Sequence, residues 1–328
     1  MGDTGWRQTG ALRDVLDQVT RRLSASSALV EDARADGTPF DADREARWLL
    51  SAVLEVTPGE LGRWLWQNGP CGPDALDRID QAAQRRASGE PMAYCVGTAP
   101  FRELVLTVDR RVLIPRPETE IVVGEALRLM ADHPGGVAVD IGTGSGAIAL
   151  SLATEGRFER VVATDVSEEA LAVARANAAR VAAAQPATTP VEFRQGADLA
   201  PLRGVNARVI VSNPPYIAYG EALALPRSVR DWEPTVALFA ANEGMARYDA
   251  ILAGAREVLE PYGWVVCEVD AGRAQRTAAL AMTLGYQQVQ LRRDLTGRER
   301  VLLAQHVPGH HSLSYCSSAE EADSHARR

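Results

Sequence analysis

The segment VAVDIGTGSG, residues 137–146, reads as a short apolar strand running into a turn with glycine at every second position, followed by the helical stretch AIALSLAT. Gly142, Gly144 and Gly146 let a backbone turn sharply and approach a ligand where a Cβ would intrude. The spacing is DxGxGxG, not the GxGxxG of the dehydrogenase fingerprint. Alone it is also compatible with a tight strand–helix connection in an unrelated α/β protein. As a cofactor cradle it makes Gly142, Thr143, Gly144, Ser145 and Gly146 the candidate contacts.

Downstream, strand and helix alternate. RVVATDV (160–166) is a second strand, and Ser167 is placed to cap the helix that follows, with Glu168 and Glu169 at its positive end. Asp165 ends that strand, where an acidic side chain can accept hydrogen bonds from both hydroxyls of a ribose. VEFRQG (191–196), ARVIVSNPP (207–215) and WVVCEVD (264–270) are the next strands. Continuous Val/Ile/Leu runs separated by helices predict a parallel sheet covered on both faces. QVQLRRD and RERVLLAQH, separated by Leu295-Thr296-Gly297, are expected to form an antiparallel pair.

The fourth strand ends in Asn213-Pro214-Pro215-Tyr216. Two prolines hold the backbone after Asn213 extended. The Asn213 side-chain oxygen and the Pro214 carbonyl can then point the same way, two acceptors matching the two hydrogens of a planar NH2 group. An amide or exocyclic base amine is a poor nucleophile, so holding its lone pair toward a methyl donor is the chemistry such a site supplies. Asn213, Pro214 and Tyr216 are the candidate catalytic residues, with Pro215 completing the substrate contact.

Upstream, ALRDVLDQVTRRL, DADREARWLLSAVLEV and ALDRIDQAAQRRASG carry apolar residues at helical spacing, the last with Asp74 as its expected N-cap. LVLTV (104–108) and RVLIP (111–115) around Asp109-Arg110 read as a β-hairpin, and ETEIVVGEALRLMAD as the helix after it. The expected organisation is a helical domain over 1–90, a linking β-hairpin over 91–118, a catalytic domain over 119–306 and a disordered, Ser-rich tail over 307–328.

The 328 residues carry a formal charge of -8, which disfavours broad contact with phosphate backbones. Four scattered cysteines and five histidines suggest neither disulfides nor a metal site. No apolar run has the roughly 18–20 residues a membrane span needs, and the N-terminus lacks the pattern of a signal peptide. A cytoplasmic monomer, with no direct nucleic-acid or membrane binding, is the expectation.

DxGxGxG resembles motif I of class I methyltransferases, which cradles the amino-acid part of S-adenosylmethionine. Asp198, after Gly196 and the inserted Ala197, stands near where such enzymes often place an acid for the adenine amine. NPPY occurs in adenine-N6 and guanine-N2 methyltransferases as well. The flanking residues are more specific. Gly89-Glu-Pro-Met-Ala-Tyr94, Gly97, Phe101, Val112-Leu-Ile-Pro-Arg-Pro-Glu-Thr-Glu120, VSNPPYI, Glu233-Pro-Thr-Val-Ala-Leu238, Glu268 and RRDLTGRERVLLAQ resemble the HemK/PrmC family of protein-(glutamine-N5) methyltransferases acting on translation-termination release factors. The resemblance spans roughly residues 40–305. It implies an α/β class I (Rossmann-like) S-adenosylmethionine methyltransferase domain with a small all-α N-terminal domain, and the glutamine of a Gly-Gly-Gln loop as acceptor. By position, Asn213 and Pro214 would grip that amide, Phe101 and Tyr216 would wall it, and Arg116 would stand near the mouth. Pro100, beside Phe101, and the inserted Ala197 depart from the family pattern; glutamine methyltransferases of ribosomal proteins share most of these motifs.

Overall fold

The computed structural model describes residues 10–36, 39–186 and 188–309. Helices Leu12–Ser24, Ser27–Asp36, Ala42–Leu54, Pro58–Gln67, Pro73–Ala87 and Met92–Val96 come first. The apolar stripes expected from periodicity are buried: Leu12, Val15, Leu16, Val19 and Leu23 meet Ala46, Leu49, Leu50 and Val53 in one core. Two more helices, which add Leu61, Leu65, Leu76 and Ile79 to that core, have clearly marked starts. Pro58–Gln67 opens on a capping box, Thr57 and Glu60 each bonding the other's backbone N–H. The helix expected to be capped by Asp74 begins earlier, at Pro73, with Gly72 as its N-cap. Proline suits that first position because its missing N–H would have no helical partner there, and Asp74 falls in the first turn.

The β-hairpin is shifted from the expected one. Strands β1 (Thr98–Phe101) and β2 (Leu104–Thr107) pair around Arg102-Glu103, with Phe101 opposite Leu104. Residues 111–115 are not a strand. At Asp109 the chain turns, its carboxylate accepting from the Arg111 N–H at 3.0 Å, and Pro115 and Pro117 remove the donors a ladder would need.

The remaining strands are Val137–Ile141 (β3), Arg160–Asp165 (β4), Val191–Gln195 (β5), Ala207–Ser212 (β6), Ile217–Ala218 (β7), Phe239–Ala240 (β8), Leu259–Glu268 (β9), Gln287–Arg293 (β10) and Glu299–Gln305 (β11). All but β7 and β8 form the main sheet, in the order β10-β11-β9-β6-β3-β4-β5. Strands β3, β4, β5, β6 and β9 run parallel, whereas β11 is antiparallel to both β9 and β10. Helices Pro117–Met130, Ala147–Glu155 and Glu168–Ala184 cover one face; Ala246–Val258 and Ala274–Thr283 cover the other. Each face buries its own apolar cluster, which accounts for the unbroken apolar runs in the central strands.

From β3 the chain steps outward to β4 and β5, then returns to β6 on β3's other side. The sheet thus reverses direction at β3, and the crevice at the carboxyl ends of β3 and β6 is where such folds bind ligands. Between β6 and β9 lies a segment without a strong sequence signal. It holds a short parallel pair, Ile217–Ala218 with Phe239–Ala240, and the four-residue helices Arg227–Arg230 and Thr235–Leu238. It also crosses to the N-terminal helices: the Ser228 N–H donates to both Asp32 carboxylate oxygens at 3.3 Å, and Arg227 pairs with Glu31. Residues 310–328, most of the expected disordered tail, lie outside the described residues.

Candidate active site

Register brings the motifs together. Ile141 is level with Thr164 on β4 and with Ser212 on β6, so Gly142, Asp165 and Asn213 leave the sheet side by side. The turn after β3 is shaped from beneath by Asp140, fully buried, whose Oδ2 accepts from the Thr143 hydroxyl at 2.7 Å and the Ala149 N–H at 3.0 Å. Its Oδ1 has no partner among the described residues, and burial pushes its carboxyl up to about 7. Gly142, Gly144 and Gly146 all have positive φ (74°, 54° and 86°). A Cβ on Gly142 or Gly144 would project into open space, whereas one on Gly146 would come within 3.4 Å of Ala174. The first two face a ligand space; the third is packed against a helix.

That space is a cavity of about 110 Å³ lined by Gly142, Gly144, Asp165, Asp198, Asn213 and Pro214, among others. Asp165 is anchored at its rim. Its Oδ2 accepts from the Gly144 N–H and its Oδ1 from the Ser167 N–H, both at 2.9 Å, and burial raises its pKa. Each oxygen keeps a lone pair for a further donor. Asp198 has left-handed backbone (φ 49°) and is held by Arg247 at 3.1 Å. Thr143, Ser145 and Gly146 do not line this cavity and build the turn itself. Asn177 ties that turn to the hairpin, its Nδ2 donating to the Ser145 and Thr107 carbonyls at 2.9 Å. These features fit S-adenosylmethionine: the glycine turn leaves room for its amino-acid part, Asp165 has acceptors for ribose hydroxyls, and Asp198 flanks the space beyond.

A second, open groove of about 540 Å³ lies across the same wall. Asn213, Pro214 and Pro215 line both spaces, and Tyr216, Arg116 and Glu233 line the groove alone. Trp48 and Arg86 from the N-terminal helices line it together with Pro226, Ser228 and Val229. Arg116 pairs with buried Glu233 at 2.5 Å, and Glu233 also accepts from the Ile114 N–H at 3.3 Å, so the segment ending in Pro115 is pinned to the groove. Burial raises the Glu233 pKa against the pull of Arg116.

Behind Asn213 runs a chain of hydrogen bonds. Its Nδ2 donates to Thr119 Oγ1 at 3.0 Å, and the Thr119 hydroxyl donates to Glu268 Oε2 at 2.6 Å. The Tyr216 hydroxyl donates to the other Glu268 oxygen at 3.3 Å. Asn213 Oδ1 has no donor among the described residues, so its acceptor capacity is left for a ligand.

Phe101 is not brought to the site. It is 1 % exposed, packed with Leu104, Leu106, Val122 and Val123, and lines neither space. The expected aromatic wall at Phe101 is therefore corrected to a core residue: as the last position of β1 its side chain turns inward. Sequence reading gave no role to Thr119, Arg247, Asn177, Trp48 or Arg86, which are contributed by remote segments. Glu268 carried a usable signal, since it ends a parallel strand at the edge where ligands bind.

Residues 14–97 match the PrmC N-terminal domain family, and residues 125–225 the Methyltransferase small domain family. A release factor glutamine methyltransferase from Moorella thermoacetica is 38% identical over 294 residues, covering 89% of this chain and 98% of the relative. One from Geobacter sulfurreducens is 35% identical over 291 residues, with coverage of 89% and 95%. The solved hMettl16 catalytic domain, in complex with an RNA hairpin, superposes with a TM-score of 0.50 at 16% identity, covering 71% of this chain and 84% of that one; it supports the fold alone. Identity at this level along nearly the whole of both chains places the protein in the release factor glutamine methyltransferase family, whose methyl donor is S-adenosylmethionine.

Proposed function

We propose that this chain methylates the side-chain amide nitrogen (N5) of the glutamine in the Gly-Gly-Gln loop of translation-termination release factors, in the cytoplasm. The observation that carries this reading is the wall formed by Asn213, Pro214 and Pro215, shared by the glycine-lined cavity and the open groove. A flat amide presented from the groove would meet acceptors on these residues, beside the space that would hold the donor.

S-adenosylmethionine supplies a methyl group made electrophilic by its positive sulfur. Gly142 and Gly144 would admit the donor, Asp165 would take its ribose hydroxyls, and Asp198 would flank its adenine. Asn213 Oδ1 and the Pro214 carbonyl hold the two N–H groups of the acceptor, which turns the nitrogen lone pair toward the methyl. No base need remove a proton first: the nitrogen becomes acidic once methylated and gives a proton to water. Orientation of this kind contributes several kcal/mol, below a ceiling of roughly 7–11 kcal/mol. Tyr216 walls the amide on the groove side. The N-terminal helices, through Trp48 and Arg86, support the protein substrate. The net charge of -8 favours a protein acceptor over a nucleic acid.

Incubation of the purified protein with labelled S-adenosylmethionine should label a release factor, and a Gln→Glu change in the Gly-Gly-Gln loop should abolish the label. Transfer to DNA, ribosomal RNA or a ribosomal protein, with none to the release factor, refutes the reading.

A further inference from the structure

We propose that Thr119 and Glu268 form a polarity lock on Asn213, acting as positioning residues that keep its amide nitrogen turned into the protein and its oxygen turned toward the groove. The inference rests on the reading of Asn213 as the grip on the acceptor amide. An asparagine amide has nearly the same shape after a half-turn, so packing alone hardly separates its two orientations. They are opposite in chemistry. One presents an acceptor to the substrate NH2; the other sets donor against donor.

The hydrogen-bond chain makes the choice. Thr119 Oγ1 lies 3.0 Å from Asn213 Nδ2 and 2.6 Å from Glu268 Oε2. A hydroxyl has one proton to donate. An ionised carboxylate can only accept, so that proton goes to Glu268, and Thr119 is left with lone pairs alone. Asn213 can then approach it only through Nδ2. Tyr216 donates to the second Glu268 oxygen at 3.3 Å, so both carboxylate oxygens are used as acceptors. Thr119 and Glu268 are 4 % and 2 % exposed, which leaves water little access to substitute for either.

Protonation of Glu268 on Oε2 would reverse the chain. The acid would donate to Thr119, the threonine proton would be free for Asn213 Oδ1, and the amide would turn over. The groups facing Glu268 are Glu118 on the Pro117–Met130 helix, Arg300 on β11, and Tyr216; Tyr248 donates to its backbone carbonyl. Burial is the largest influence and Glu118 adds to it, together lifting the carboxyl to about 7 against Thr119, Tyr216 and Arg300. The lock therefore closes as pH rises through neutrality.

The test is steady-state kinetics with a release factor, alongside calorimetric binding of S-adenosylmethionine. Thr119→Val should lower kcat by about 10²-fold, with donor Kd and acceptor KM within a few-fold of the parent. Thr119→Ser keeps the hydroxyl and should restore most of the rate. In an Asn213→Ala background, Thr119→Val should cost nothing more. Glu268→Gln offers one oxygen to two donors and should lose rate and the rise of kcat across pH 6 to 8; adding Tyr216→Phe frees that oxygen for Thr119 and should recover part of the rate. The Glu268 pair reads the lock even if Thr119→Val fails to fold. Should Asn213→Ala abolish turnover while Thr119→Val and Glu268→Gln leave it intact, the lock is wrong and the grip stands. Should Asn213→Ala itself retain full turnover, the grip fails and takes the lock with it.

Discussion

Replacing Asp165 tests the cofactor site most directly. Its two oxygens offer about four lone-pair positions, of which the Gly144 and Ser167 N–H groups occupy two, each at 2.9 Å. The other two are available to the ribose hydroxyls of S-adenosylmethionine. A hydrogen bond to a charged group is worth about 1.5–3 kcal/mol, so losing two costs about 3 kcal/mol or more. At about 1.4 kcal/mol per factor of ten, that raises the donor's Kd by on the order of 100-fold or more in Asp165→Ala. Folding should change less. The two backbone amides lose their acceptor, at about 1 kcal/mol each, but a carboxylate that burial already disfavours is removed as well. Asp165→Asn retains one oxygen and should fall between. Calorimetric titration with S-adenosylmethionine, paired with thermal melting, separates binding from folding. If Asp165→Ala binds the donor within threefold of the parent while melting normally, the assignment of the ribose to this carboxylate is refuted.

Stability and activity should respond oppositely to pH at Glu268. Its carboxyl is raised to about 7 in the folded chain, so the stability it contributes is fully present below its ordinary range near 4.5 and is lost as pH climbs through 7. The parent's melting temperature relative to Glu268→Gln should therefore fall between pH 5 and 8 while its kcat rises; parallel trends contradict the shift. Gly156→Ala places a Cβ 2.4 Å from the Phe158 ring and 2.5 Å from the Leu152 carbonyl, and should destabilise by about 1–3 kcal/mol, read as a lower denaturant midpoint at unchanged slope. Trp48→Ala should raise KM for the release factor several-fold and leave donor Kd unchanged, since Trp48 lines only the groove.

The middle of the sheet was legible because β3, β4, β6 and β9 bury residues on both faces, and a buried strand must be written in Val, Ile and Leu. The Ser167 cap was legible for a similar reason: it is a local bond, from the Ala170 N–H to the Ser167 hydroxyl at 3.1 Å. The hairpin was misplaced because Val112, taken as a strand residue, is apolar for another purpose. It is buried in a small cluster with Tyr94 and Val108, and its carbonyl accepts from the Tyr94 hydroxyl at 2.5 Å. An apolar residue held by a tertiary contact looks the same in sequence as one held by a ladder. Pro100 did not prevent a strand because β1 belongs to a sheet of only two strands, where one side needs no donor. At the site, the glycines, Asp165 and the NPPY residues were visible because backbone geometry and local order constrain them. The Asn213–Thr119–Glu268 chain was not. Its members are 94 and 149 residues apart, and their meeting depends on the Pro117–Met130 helix crossing behind β6 and β9.

Asn213, Pro214 and Pro215 line both the cavity and the groove, whereas Asp165 and Gly144 border only the first and Tyr216 and Trp48 only the second. A partition shared by two chambers couples them: reshaping it alters both at once. A change on a surface that only one chamber uses leaves the other as it was.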